Sequence, residues 1–189
     1  MRFAILAALC SAPFLQAEMP AVPRPAPDFT IQFPGGQTMQ LSSFRGKVVA
    51  IEFLFTTCPH CAHASQVFSK LNSEYGPKGF QPLGVAFNEM SNMLVPDFVK
   101  QNSVTYPVGF SPREPVLSFL SFSPVERLVV PQIVWIDRKG MIRSETPAQG
   151  DEKMLSEAYW REMIENLLKE PETTSKKPVA HHASAGKTP

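Results

Sequence analysis

The chain has only three cysteines among 189 residues, and one of them, Cys10, lies in the N-terminal apolar stretch. So sparse a set excludes the disulfide-dense scaffolds on which small secreted domains rely. Excess charge is lacking as well: 18 Lys plus Arg face 17 Asp plus Glu, a formal net charge of +1. No basic surplus exists to neutralise phosphates, so neither a nucleic acid nor an anionic membrane surface is expected as a partner. A long hydrophobic run is missing too, because the apolar stretch Phe3 to Leu15 falls short of the roughly 20 residues that a spanning helix needs. With 43% apolar residues the chain is nevertheless far from the composition of a disordered one. Its length suits one domain with short extensions.

Proline is what the sequence has in abundance. Of 19 prolines, six fall between Pro13 and Pro34 and three between Pro171 and Pro189, which marks both ends as non-globular. Residues 1–17 carry one charge, Arg2, ahead of the apolar stretch and close at the small residue Ala17, the pattern of a secretory signal peptide. Cys10 follows Leu9 rather than a small residue, so it reads as a small hydrophobe and not as a lipid-attachment site. Residues 18–27 read as a Pro-rich tether, 28–170 as the folded domain, and 171–189 as a disordered tail with no aromatic and a single Val. His181-His182 then belongs to a solvated tail rather than to a metal site. The expected product is an exported protein with no membrane span once the leader is removed. No internal repeat is evident.

The body reads as α/β. Phe29 to Phe33 alternates apolar and polar, and Pro34-Gly35-Gly36 turns the chain toward Met39 and Leu41, which predicts an edge hairpin. Ser42 is expected to cap a short turn ending at Gly46. Val48 to Phe55 is an almost unbroken apolar run, as a central strand covered on both faces requires. From Pro59, the positions Ala64, Val67/Phe68, Leu71 and Tyr75 follow a helical spacing that Gly76-Pro77 stops. Phe80 to Phe87 predicts a second buried strand, and Leu94 to Asn102 a short helix with Pro96 in its first turn. Tyr106 to Phe110 adds a brief strand and Glu114 to Phe122 a short helix. Val129 to Asp137, the turn Arg138-Lys139-Gly140 and Met141 to Glu145 form a hairpin. Asp151 to Lys169 closes the domain as an amphipathic helix, with Met154/Leu155, Ala158, Met163 and Leu167/Leu168 on one face.

Chemistry concentrates where the central strand runs into the helix, at Phe55-Thr56-Thr57-Cys58-Pro59-His60-Cys61. A disulfide closing so small a loop is a poor structural staple, so the pair reads as reactive. Two intervening residues place both sulfurs at the first helical turn, where they can pass between dithiol and disulfide without moving the fold. Free amides and the positive helix end favour a thiolate on Cys58, making it the nucleophile; Cys61, one turn deeper, resolves the mixed disulfide. His60 beside the reactive sulfur tunes it, each 1.4 kcal/mol of added stability for the reduced form raising the potential by about 30 mV. The alternative is a solvent-exposed helix residue with no electronic role.

Glu52 is the other anomaly, a carboxyl inside an apolar strand six residues before Cys58. Buried there, it must find a partner or hold a proton, and it could take the proton of Cys61 as that sulfur attacks. The competing reading sends Glu52 to an edge or pairs it with Lys47.

Taken together, Asp28-Phe29, Gly46-Lys47-Val48-Val49, Phe53 through Cys61, Gly79-Phe80, Gly84-Val85 and Val130-Pro131 followed by Trp135-Ile136-Asp137 with Gly140 resemble the TlpA/ResA-like extracytoplasmic thioredoxin-fold family. The resemblance spans most of residues 28–169. It implies a thioredoxin-like fold: a central mixed sheet flanked by helices, an N-terminal hairpin extension and a central helix-strand insertion. It implies thiol-disulfide oxidoreductase activity on cysteine-containing secreted proteins, a thiol-redox partner that regenerates the enzyme, and no bound organic cofactor or metal. It also implies a cis peptide at Pro131 that faces Val130 toward the cysteines, for edge pairing with substrate. Glu52 stands at the position of the buried acidic residue of ordinary thioredoxins. Two departures stand out: Thr57 replaces the usual tryptophan, and Pro59-His60 between the cysteines resembles the oxidase DsbA. Two other classes compete, a copper carrier using Cys58, Cys61, His60 and His63, and a peroxiredoxin-type peroxidase. The former lacks a histidine between His63 and His181, and the latter needs a Pro and a Thr where Ile51 and Phe55 stand.

Overall fold

The unbroken apolar character of the central run has a direct structural consequence: every residue of Val48–Leu54 is buried, because helices cover both faces of that strand. A computed structural model describes residues 20–171. The proposed leader (residues 1–17) and residues 172–189 of the tail lie outside the described residues. In chain order the strands are β1 (Arg24–Pro25), β2 (Thr30–Gln32), β3 (Thr38–Gln40), β4 (Val48–Leu54), β5 (Phe80–Ala86), β6 (Val108–Phe110), β7 (Gln132–Ile136) and β8 (Met141–Glu145). The helices are α1 (Pro59–Tyr75), α2 (Ser91–Gln101), α3 (Arg113–Leu120) and α4 (Glu157–Lys169). They build one mixed sheet in the order β1-β8-β7-β4-β5-β6-β2-β3.

Strands β4, β5 and β6 run parallel, whereas β7 lies antiparallel to β4. Alternation along β4 divides the core. Val48, Ala50 and Leu54 pack beneath α1 and α4, while Val49, Ile51 and Phe53 face α3. On the α1 side Phe68 stacks on Trp160 at 4.4 Å and meets Trp135 at 6.1 Å, which locks α1, α4 and β7 together. The insertion expected in the middle of the chain is α2 with β6. The hairpin of β2 and β3 docks on β6 because residue 109 is glycine: a Cβ there would stand 2.3 Å from the Gln32 carbonyl oxygen. Buried Arg138 holds the C-terminal end of α4, donating to the carbonyls of Leu168 at 2.9 Å and Glu170 at 2.7 Å.

Several local expectations are corrected. Residues 24–25, assigned to a free tether, pair as β1 with β8, and Arg24 bonds the Glu145 carboxylate at 2.7 Å. Ser42 does not cap the turn at Leu41–Phe44 but lies inside it, giving its amide and hydroxyl to the Asp28 carboxylate at 2.9 and 2.7 Å. Helix α2 begins at Ser91, so Pro96 lies beyond its first turn. The carbonyl that loses its donor is that of Asn92, which is exposed and open to solvent. Strand β7 starts at Gln132 rather than Val129, because the preceding Pro131 cannot donate to a ladder. Finally, α4 starts at Glu157, capped by the Ser156 hydroxyl, after a turn in which the Asp151 carboxylate accepts from the Met154 amide at 2.8 Å. That shift changes the buried stripe to Trp160, Ile164 and Leu167 and leaves Ala158 exposed.

Because Phe68 fills the space between two tryptophans with no exposure, Phe68→Ala is expected to cost about 3–5 kcal/mol. Urea unfolding of the two proteins measures the difference.

Candidate active site

Strand β4 ends at Leu54, and the chain crosses three residues before Cys58 opens α1 as its N-cap. Pro59 occupies the first helical position, where its missing amide hydrogen costs nothing and its fixed φ suits the helix. The Cys58 amide donates to the Phe55 carbonyl at 3.1 Å, and the Ala62 amide closes the first turn on the Cys58 carbonyl at 3.0 Å. Asn88, just past β5, steadies this bend: its side-chain oxygen accepts from the Thr56 amide at 2.9 Å and its amide donates to the Thr56 hydroxyl at 3.0 Å. Cys58 is half-buried and Cys61 fully so, and both are thiols. Burial is the main reason that the Cys61 thiol is pushed far above its ordinary range, and the neighbouring Glu52 carboxylate adds to it.

Glu52 sits under α1 with no exposed surface. Its Oε2 accepts from the Ser65 hydroxyl at 2.8 Å and from the Tyr106 hydroxyl at 2.7 Å, while Oε1 is buried with no partner among the described residues. This disposes of the alternative in which Glu52 reaches an edge or pairs with Lys47. Ser65 follows Cys61 by one helical turn, so both point inward over β4, and that places the carboxyl in the electrostatic field of the Cys61 sulfur. Desolvation raises the Glu52 carboxyl from 4.5 to about 7, against the opposing pull of the Tyr106 and Ser65 hydroxyls. The Tyr106 hydroxyl, buried beside it, is raised well above its ordinary range.

The loop ahead of β7 supplies the facing surface. The Val130–Pro131 peptide is cis, and the Val130 carbonyl oxygen lies 3.8 Å from Cys58 Sγ. One residue that holds this loop went unnoticed in the sequence. Gln132, completely buried, donates from Nε2 to the carbonyls of Val129 at 2.7 Å and Pro147 at 3.1 Å. The Val129 amide in turn donates to Ala148 at 2.8 Å, so two loops distant in sequence are tied together behind the cysteines. Ser65, Tyr106 and Asn88 were missed as well; a polar residue at an inward helical position was the only available signal, and it marks Ser69 as much as Ser65.

His60 and His63 are exposed on α1 and line a cleft of about 460 Å³ together with Val130, Pro131, Leu155 and Trp160. Among the described residues His60 makes no hydrogen bond to Cys58, so any tuning of the sulfur by it acts through charge. No three His, Cys, Asp or Glu side chains among the described residues gather as a metal-binding group, and His60 and His63 do not join the two cysteines in one.

Two outcomes follow from this geometry. Folded protein holds a proton on Glu52 between about 4.5 and 7 that the unfolded chain releases, so stability must fall as pH rises through that window and then level off. Glu52→Gln removes this slope, and the gap between the two proteins grows by about 3 kcal/mol across it, as denaturant titrations at several pH values measure. Gln132→Met keeps the volume but deletes the donor; it is expected to cost about 1–3 kcal/mol and to speed hydrogen exchange at the Val129 amide.

Known proteins agree with this architecture. The ResA thiol-disulfide oxidoreductase of Bacillus thuringiensis subsp. konkukian is 25% identical over 144 residues, covering 76% of this chain and 80% of its own length. That of Geobacillus kaustophilus is 28% identical over 130 residues, or 69% and 71% of the two chains. A crystal structure of a thiol:disulfide interchange protein of the thioredoxin family from Chlorobium tepidum matches with a TM-score of 0.64 over 79% of this chain and 99% of its own, at 23% identity, which shows the shared fold. Residues 21–159 match the Redoxin family model. On that match, and with a thioredoxin-type sheet carrying Cys58 and Cys61 at its strand-helix junction, the chain belongs to the Redoxin family as a TlpA/ResA-like member.

Proposed function

We propose that the protein is an exported thiol-disulfide oxidoreductase that exchanges a Cys58–Cys61 disulfide with the cysteines of other secreted proteins. The observation that carries this reading is the pairing of a half-buried Cys58 at the start of α1 with a fully buried Cys61 above a carboxyl. The half-buried sulfur is the one a partner can reach. The ResA relatives support the activity, and the leader-like residues 1–17 support export to a compartment where disulfides persist. No described helix is long and apolar enough to cross a membrane.

In the reducing direction, the Cys58 thiolate attacks one sulfur of a substrate disulfide. A Cys58–substrate bond forms, the substrate bond breaks, and the departing substrate sulfur takes up a proton. Cys61 then loses its proton to the Glu52 carboxylate and attacks Cys58 Sγ. The new Cys58–Cys61 bond expels the second substrate thiol, so two electrons have passed from protein to substrate. Glu52 suits the acceptor role because its Oε1 has no partner among the described residues and burial raises its carboxyl to about 7. The oxidising direction reverses each step, and a second thiol-redox protein restores the starting state. Both electrons reside on sulfur, so the cycle needs no organic cofactor.

Cys61→Ser is expected to accumulate a mixed disulfide between Cys58 and a cysteine-containing protein, visible as a mass adduct that dithiothreitol removes. Cys58→Ser is expected to trap none and to lose exchange; retention of full exchange by Cys58→Ser would overturn the assignment. Equilibration with a glutathione buffer then fixes the direction: a potential near about −270 mV means a reductant, and one near about −120 mV an oxidant.

A further inference from the structure

Val130 has two neighbours of interest. Its carbonyl lies against Cys58 Sγ, and its side of the loop lines the cleft that extends to α4. The Val129 amide and carbonyl are both spent inside the protein, on Ala148 and Gln132, whereas among the described residues the Val130 carbonyl meets only the Cys58 sulfur. Apolar surface lines much of the cleft. Trp160, buried in the core, backs the cleft, and its indole N–H is given to the Met154 carbonyl at 2.8 Å. Leu155 lies beside it, and Val129, 41% exposed, extends the apolar surface outward. Asp151 and Glu152, both exposed, also line the cleft, and among the described residues neither is in an ion pair. Two carboxylates without an ion-pair partner among the described residues thus stand beside an apolar hollow next to the reactive sulfur; Asp151 also accepts from the Met154 amide.

We propose that this cleft reads the substrate: it takes an extended, cysteine-bearing segment with a bulky apolar side chain two residues from the cysteine and a Lys or Arg two residues further on, on the same face. An extended segment paired with Val130 puts its cysteine at Cys58. Its side chain two positions away, on the same face, lies about 6.6 Å along the strand, over the cleft. A cationic side chain two residues beyond it, again on the same face, then meets Asp151 and Glu152, and the same carboxylates repel anionic small disulfides such as oxidised glutathione. The selection rests on the exchange reading above, because the segment is positioned by its bond to Cys58.

The test uses reduced protein and symmetric disulfides of short single-cysteine peptides, with Phe or Ala two positions and Lys or Glu four positions to either side of the cysteine. Cys58 and Cys61 lose two electrons and two protons to each peptide disulfide, and two peptide thiols are released and counted. Phe is expected to exceed Ala by about tenfold in kcat/KM. Lys is expected to exceed Glu by about fivefold at low salt, the ratio shrinking as salt is added. Glu152→Lys, which leaves Asp151 and so cancels the charge of the pair, is expected to bring the Lys/Glu ratio to about one while keeping the Phe/Ala order, a selective loss that a folding defect cannot produce. Rates within twofold for all four peptides, or a Lys/Glu ratio unchanged by Glu152→Lys, would overturn the cleft's role while leaving exchange intact. Failure to exchange with any peptide and with neutral hydroxyethyl disulfide would instead sink the exchange reading, and the cleft's role with it.

Discussion

Helix α1 lies on the β4 strand, and the water that this packing excludes governs the chemistry. Cys61, Ser65 and Phe68 point inward on successive turns, and Ala50, Glu52 and Leu54 point up from the strand to meet them. Where the opposing groups are apolar, the contact supplies stability through Phe68 and its two tryptophans. Where they are Glu52 and Cys61, the same dryness penalises charge and lifts both groups above their ordinary ranges. One packing surface therefore holds the fold together and sets the proton affinities of the site. The hydroxyls of Ser65 and Tyr106 relieve only one oxygen of the carboxyl.

A second constraint is the placement of the loop opposite. Val130 reaches the Cys58 sulfur because Gln132 ties the Val129 end of the loop to residues 147–148. That second loop leads through Asp151 into the turn that precedes α4. The clamp thus links the surface that faces the sulfur to the segment that lines the neighbouring cleft. Rigidity at Gln132 and substrate selection at Asp151 and Glu152 are parts of one construction.

Much of the fold was legible in the chain, and the failures have identifiable causes. The all-apolar stretch of β4, the helical stripe from Ala64 to Tyr75 and the Gly140 turn each carry a local signal over several residues, and all three lie where the pattern put them. Element ends were less certain. Proline reads as a boundary marker, yet Pro96 sits within α2 because the carbonyl it orphans faces solvent. Asp151 looked like the start of α4, and its carboxylate instead caps a separate turn. Residues 24–25 looked like linker because a two-residue edge strand has no period to detect.

The sequence by itself determined that a buried strand runs into a helix opened by two cysteines, since spacing, turn residues and apolar periodicity are properties of adjacent residues. It also showed that Glu52 was out of place in its strand. Only the tertiary structure decided what Glu52 meets, because Tyr106 lies 54 residues further along the chain. The Gln132 clamp and the cleft between α1, the Val130 loop and the turn before α4 were decided in the same way. These features join side chains from separate elements, and their partners are fixed by how the helices settle on the sheet rather than by any pattern along the chain.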